Sequence, residues 1–66
     1  MKYDLLELLQ NIGMQKYVEV LQSHEIDVET LACMNEADLK EIGITTFGAR
    51  KKLLNLGIEL RGMFNQ

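Results

Sequence analysis

The side chains able to do chemistry in this 66-residue chain fall into two sets of opposite charge. Phe47, Gly48, Arg50, Lys51 and Lys52 place three successive cations just behind an aromatic ring. Upstream, Glu25, Asp27, Glu29, Glu36, Asp38 and Glu41 spread six carboxylates over one stretch. The chemistry these sets support is recognition by charge complementarity, in which opposite patches steer approach and fix register. Catalysis or metal binding would need companions that are missing. His24 is the single histidine, Cys33 the single cysteine, and the acids show no ligand spacing of a zinc site. No phosphate loop, dinucleotide fingerprint, nucleophile elbow or poised carboxylate pair is present. The residues read as a binding module: no enzyme, no cofactor, no metal, no small-molecule substrate.

Charge is divided along the chain. Residues 1–41 hold nine acids against Lys2, Lys16 and Lys40, while residues 42–66 hold Arg50, Lys51, Lys52 and Arg61 against Glu59, within a total of −3. Charged residues at 26% and hydrophobic ones at 47% are ordinary for a folded domain and exclude intrinsic disorder. At this length folding removes only about 60% of the unfolded chain's surface, which leaves room for one small core. One cysteine cannot staple it. With no apolar run long enough to span a bilayer and no basic-then-apolar leader, the expectation is a cytoplasmic domain without membrane contact.

The elements that must position these charges follow from apolar spacing. Leu5, Leu6, Leu8, Leu9 and Ile12 recur at threes and fours, as in an amphipathic helix, and Gly13 stops it by accepting a left-handed backbone. A second helix carries Met14, Tyr17, Val18 and Leu21 on its core stripe, with Val20 off it. Asp27 is placed to N-cap a short third helix anchored by Ile26 and Leu31. Asn35 caps a fourth, with Asp38 where a capping box ordinarily takes Glu or Gln; Leu39 and Ile42 bury, and Gly43 ends it. The fifth starts at Thr45 or Thr46, carries Phe47, Leu53, Leu54, Leu56, Ile58, Leu60 and Phe64, and spans roughly 25 Å. Helices are expected at about 3–12, 14–23, 27–32, 35–42 and 46–63 of one domain covering 1–66. The fold class is all-α, a compact five-helix bundle closed by a long C-terminal helix. Cys33 is expected to be buried, His24 to sit partly exposed at a helix end, and Tyr3 to cover one end of the last helix.

In this order and spacing the residues resemble the sterile alpha motif (SAM) domain family over nearly the whole chain. The likeness runs through Leu5 to Leu9, Ile12, Gly13, Met14, Lys16 and Tyr17, then Glu25, Ile26, Asp27, Leu31, Met34, Asn35, Glu36, Asp38, Leu39 and Lys40. It closes on Ile42, Gly43, Ile44 and the phrase TTFGARKKLL over 45–54. That last phrase is most similar to the SAM domain of Bicaudal-C proteins, and ankyrin-repeat SAM proteins are similar too. The resemblance implies an adaptor that self-associates head to tail. An acidic mid-loop surface (here Glu25, Asp27, Glu29, Glu36, Asp38 and Glu41) would meet an end-helix surface (here Phe47, Gly48, Arg50, Lys51 and Lys52). The implied partners are other copies of the chain or other SAM domains. The implied host is an RNA-binding translational regulator in cytoplasmic ribonucleoprotein foci, with its RNA contacts in separate modules. One departure stands out. Gly57 replaces a large aliphatic residue, so either neighbours cover the hole or the helix bends there.

Each site residue also has a reading within the fold. Cations at a helix start lack the dipole stabilisation found at the other end, so an acidic partner there makes sense of them. Arg50 alternatively pairs with a carboxylate of its own chain, which leaves Lys51 as the clearest interface residue. Asp27 and Asp38 cap helices while still presenting charge outward. Phe47 divides between closing a helix end and meeting a partner; Gly48 serves a partner's close approach or internal packing. Two other functions compete: a discrete complex with a different SAM domain, which the sequence barely separates, and direct RNA-hairpin binding through Arg50, Lys51, Lys52 and Arg61. The net charge of −3 and the absence of a stacking platform count against RNA.

Overall fold

Helix ends in this chain follow from a repeated hydrogen-bond pattern at the turns. The computed structural model describes residues 4–64, so the expectation for Tyr3 lies outside them. The order is α1 Leu5–Asn11, a single 3-10 turn Gln15–Tyr17, α2 Val18–Ser23, α3 Val28–Cys33, α4 Glu36–Glu41 and α5 Phe47–Phe64. Among the described residues there is no β-strand. The stretch 14–23 is thus divided, its first turn wound tighter than its second.

After α1, Gly13 donates to the Gln10 carbonyl and Met14 to the Leu9 carbonyl; after α4, Gly43 donates to Lys40 and Ile44 to Leu39. This double closure satisfies orphan carbonyls and needs a left-handed residue at its centre, supplied by Gly13 at φ +74° and Gly43 at φ +102°. α2 closes the same way, with Glu25 donating to Gln22 and Ile26 to Leu21, but here Glu25 takes φ +58° without being glycine. Burial of the flanking pair Leu21 and Ile26 holds the turn against that backbone cost. Helix starts are side-chain capped. Asp4 accepts from the Leu6 amide at 3.2 Å and Asp27 from the Thr30 amide at 2.8 Å. Asn35 and Asp38 form a complete reciprocal box at 2.8 and 3.1 Å, Asp38 doing the work of the usual Glu.

The core is apolar throughout: Leu9, Leu21, Leu31, Leu39, Ile44, Leu53 and Leu60 are fully buried, and no described polar or charged residue is buried with them. α5, 18 residues long, supplies Ala49, Leu53, Leu56, Gly57 and Leu60 to the core. Met14, Tyr17 and, against expectation, Ile42, the C-cap of α4, pack against this core half-buried and do not enter it. Two more expectations are corrected. Cys33 is exposed, because on so short a helix Leu31 and Ala32 take the inward side and Cys33 falls beyond them. Ile58 is 58% exposed, because Gly57 takes the inward position beside it.

Gly57 marks no hole, and α5 runs through it without interruption. A Cβ there would sit 3.0 Å from the Leu31 carbonyl oxygen and 3.7 Å from the Ala32 Cα, so the α3 backbone itself occupies the side-chain space. Gly57→Ala gains about 1 kcal/mol of helix propensity but overpacks a backbone contact costing about 1–3 kcal/mol. Thermal melts should show it destabilised by about 1 kcal/mol and Gly57→Leu destabilised far more; a raised Tm for the alanine variant would show that α3 can yield. In contrast, Glu25→Gly removes a left-handed penalty of about 1–2 kcal/mol, less the extra chain entropy of glycine. Its Tm is expected to rise by a few degrees.

Candidate functional site

The start of α5 is built around Arg50. Its Nη1 donates to the carbonyls of Ile44 at 3.2 Å and Thr45 at 2.7 Å, and its Nε donates to Glu36 Oε2 at 3.3 Å. The guanidinium therefore folds back onto the turn between α4 and α5, leaving the side chain 11% exposed. These contacts supply the acceptors that a cation lacks at the positive end of a helix. They also engage Glu36, so one predicted acid and one predicted base are joined within the chain and not held apart on separate faces.

With Arg50 turned inward, Phe47 and Lys51 form the outward feature. The Phe47 ring is 61% exposed, and the Lys51 ammonium lies over it at 5.6 Å from the ring centre. They are four residues apart, one helical turn, so they share a face. Gly48 has open space where a Cβ would be, so packing within the domain does not require glycine there. Lys52 lies about 100° round the helix from Lys51, beside Ile12, Asn55 and Glu59 in a shallow concavity of about 340 Å³. The cations thus form no continuous strip of the kind that tracks a phosphate backbone.

The acids spread over three elements. Glu25 sits at the left-handed turn after α2, Asp27 caps α3, and Glu29 lies in its first turn, all exposed. Hydrogen bonds from Thr30, first from its backbone amide and then from its side chain, hold the Asp27 carboxyl below its ordinary value of 3.8. Its contribution to stability is therefore complete above that value and is lost as pH falls through the lowered one. Asp38 is half-buried in its capping box, and Glu41 is exposed in the last turn of α4. Glu25, Glu29 and Glu41 make no ion pair among the described residues.

Sequence reasoning missed Asp4 and Leu5. The bundle brings the start of α1 against the turn between α2 and α3, and these two residues join Glu25, Ile26, Asp27 and Val28 around an open groove of about 690 Å³. No local signal marks them, since the two segments meet only in the folded chain. Among the described residues no group of three His, Cys, Asp or Glu is arranged to hold a metal ion, and no helix is long and apolar enough to cross a membrane.

The sequence profile of the SAM domain (Sterile alpha motif) family matches residues 2–57. Over 51 residues, 77% of this chain, the sequence is 53% identical to human protein bicaudal C homolog 1. It is 43% identical to Drosophila melanogaster protein bicaudal C over the same length. Human ankyrin repeat and SAM domain-containing protein 3 is 44% identical over 50 residues, 76% of the chain. These matches cover 5%, 6% and 8% of the respective relatives, so the chain corresponds to a small part of each.

Arg50→Lys keeps the charge but loses the planar fork that reaches two carbonyls and a carboxylate together. It is expected to lower stability by about 1–3 kcal/mol and to speed amide hydrogen exchange around residues 44–47, as read by mass spectrometry. A melt unchanged from the parent would show that the brace is dispensable.

Proposed function

Because the chain belongs to the SAM domain (Sterile alpha motif) family, whose members are protein-interaction modules, we propose that residues 1–66 act as one unit of a head-to-tail assembly. The observation carrying this reading is the exposed Phe47 ring with the Lys51 ammonium over it on α5, alongside exposed acids carried by other elements, Glu25 at the α2–α3 turn, Glu29 on α3 and Glu41 on α4. Two different complementary faces on one unit make a heterologous contact, and where the rotation between units does not close, copies add as an open helical chain. Phe47, Gly48 and Lys51 are the contact residues of the end-helix face; Lys52 flanks them and Arg50 braces them. On the mid-loop face, Glu25, Asp27, Glu29 and Glu41 meet the partner, while Glu36 and Asp38 hold the local structure. The host clustered by this assembly is, on the likeness to bicaudal C proteins, a cytoplasmic RNA-binding translational regulator whose RNA contacts lie outside this domain. Valency then converts a modest affinity per joint into firm clustering.

Sedimentation across concentration and salt tests the reading. The parent is expected to lengthen with concentration and shorten with salt, since charges contribute to each joint. Lys51→Glu and the double variant Glu25→Lys, Glu29→Lys should each stay monomeric alone and form a dimer when mixed, through the one intact face of each. Parent-sized assemblies in both variants would reject the assignment. A parent that stays monomeric yet pairs one-to-one with a different SAM domain would replace it with the discrete hetero-complex.

A further inference from the structure

We propose that the outward face of α5 is a docking track for an acidic amphipathic helix of a partner protein. The track goes beyond the head-to-tail reading and does not depend on it, although both use Phe47 and Lys51. α5 carries apolar side chains on two faces. Ala49, Leu53, Leu56, Gly57 and Leu60 turn into the core. Phe47, Lys51, Leu54, Ile58 and Arg61 follow one another at spacings of 4, 3, 4 and 3. At about 100° per residue they form one stripe, centred roughly 140° round the helix from the core face and about 21 Å long. Phe47, Lys51, Ile58 and Arg61 are exposed and Leu54 is half-buried. Alternation of 4 and 3 is the spacing at which one helix presents a seam to another.

Packing within the domain does not account for this face. Ile58 is β-branched, which lowers its helix propensity, and it stands exposed on the helix. Gly48, Asn55 and Gly62 line one edge of the stripe at intervals of seven residues. A glycine inside a helix costs about 1 kcal/mol against alanine, yet open space lies where a Cβ would be at both Gly48 and Gly62. A second helix backbone can therefore come close along that edge. Charge selects the occupant. Lys51 and Arg61 stand about 15 Å apart along the helix, and neither is paired with a carboxylate among the described residues. A helix with apolar side chains at matching spacing covers Leu54 and Ile58, while a carboxylate toward each of its ends meets Lys51 and Arg61. The α5 of a second copy would set the same cations against each other. An anionic bilayer would gain only about 1 kcal/mol per cation from a chain whose net charge is −3. A helix seated on Phe47 and Lys51 also excludes a neighbouring copy from them, so its binding ends growth of a head-to-tail chain at that face.

The probe is a synthetic helical peptide of about 20 residues, long enough to hold helix alone, with leucine at 4-3 spacing and glutamate on the flanks. The same peptide with lysine for glutamate is the control, and vesicles of phosphatidylserine and phosphatidylcholine form a third arm. Fluorescence anisotropy should show the acidic peptide binding the 66-residue chain at least about tenfold more tightly than its lysine counterpart, and NMR should show shifts at Leu54, Ile58 and Arg61. Ile58→Asp should weaken binding by roughly tenfold and Arg61→Glu by about two- to fivefold. Both positions are exposed and lie beyond the start of α5, so both variants should keep the parent's melt and sedimentation profile, whereas added acidic peptide should shorten the parent's assemblies. Equal affinity for the two peptides, parent affinity in both variants, or binding to vesicles without binding to the acidic peptide would overturn the track. Assembly that persists without peptide binding would remove the track alone. A monomeric parent that still binds the acidic peptide through Ile58 would uphold the track and remove the head-to-tail reading.

Discussion

The approach of the α3 backbone to α5 at Gly57 is the contact on which the rest of the molecule depends. α3 has six residues, far fewer than the roughly 12–15 that an isolated helix needs to persist in water. It exists because it is docked, and it docks backbone to backbone, with the Leu31 carbonyl in the space a side chain at residue 57 would occupy. Leu31 and Ala32 are thereby buried against the longest helix. Fixing α3 fixes what lies at its two ends: Asp27 and Val28 at the groove, and the short link into α4. A larger residue at 57 would push α3 outward and move Asp27 and Val28 with it.

The second constraint is that folding and recognition draw on the same charges. Three consecutive cations at a helix start look like one patch, but the helix winds them onto different sides. Arg50 is drawn inward because the turn before α5 exposes two carbonyls that need donors, and a planar guanidinium reaches both while pairing with Glu36. Lys51 has no such acceptors in reach and rests on the Phe47 ring. The outward basic face is consequently narrower than three successive cations suggest.

Helix ends were legible in the sequence where the signal is a single local residue. Gly13, Gly43, Asp27 and Asn35 each do what their chemistry permits best, and the structure places helix boundaries beside them. Glu25 was not legible as a left-handed residue, because burial of Leu21 and Ile26 on either side imposes that conformation from outside the local chain. Cys33 was misplaced for a related reason: on a helix of under two turns, one residue's rotation decides between core and solvent. Gly57 was read as a missing side chain because a sequence shows the vacancy and not the backbone that fills it. Asp4 and Leu5 carried no signal for the groove, since their neighbours there lie some 20 residues away in the chain.

A domain of this size cannot set aside interior residues for binding. Its described core is a dozen apolar side chains, and removing any one would cost a large share of the few kcal/mol that hold it. The features available for recognition therefore lie at the margins, where the Phe47 ring stands exposed and the nearly buried core residue Ile26 lines an open groove. That arrangement couples assembly to folding. In the proposed assembly, a neighbour contacting Glu25 would favour the closed α2–α3 turn, including its strained backbone, by binding that turn only when it is formed. Each added unit of such an assembly would then stabilise the turn beneath it, the element least favoured by local sequence.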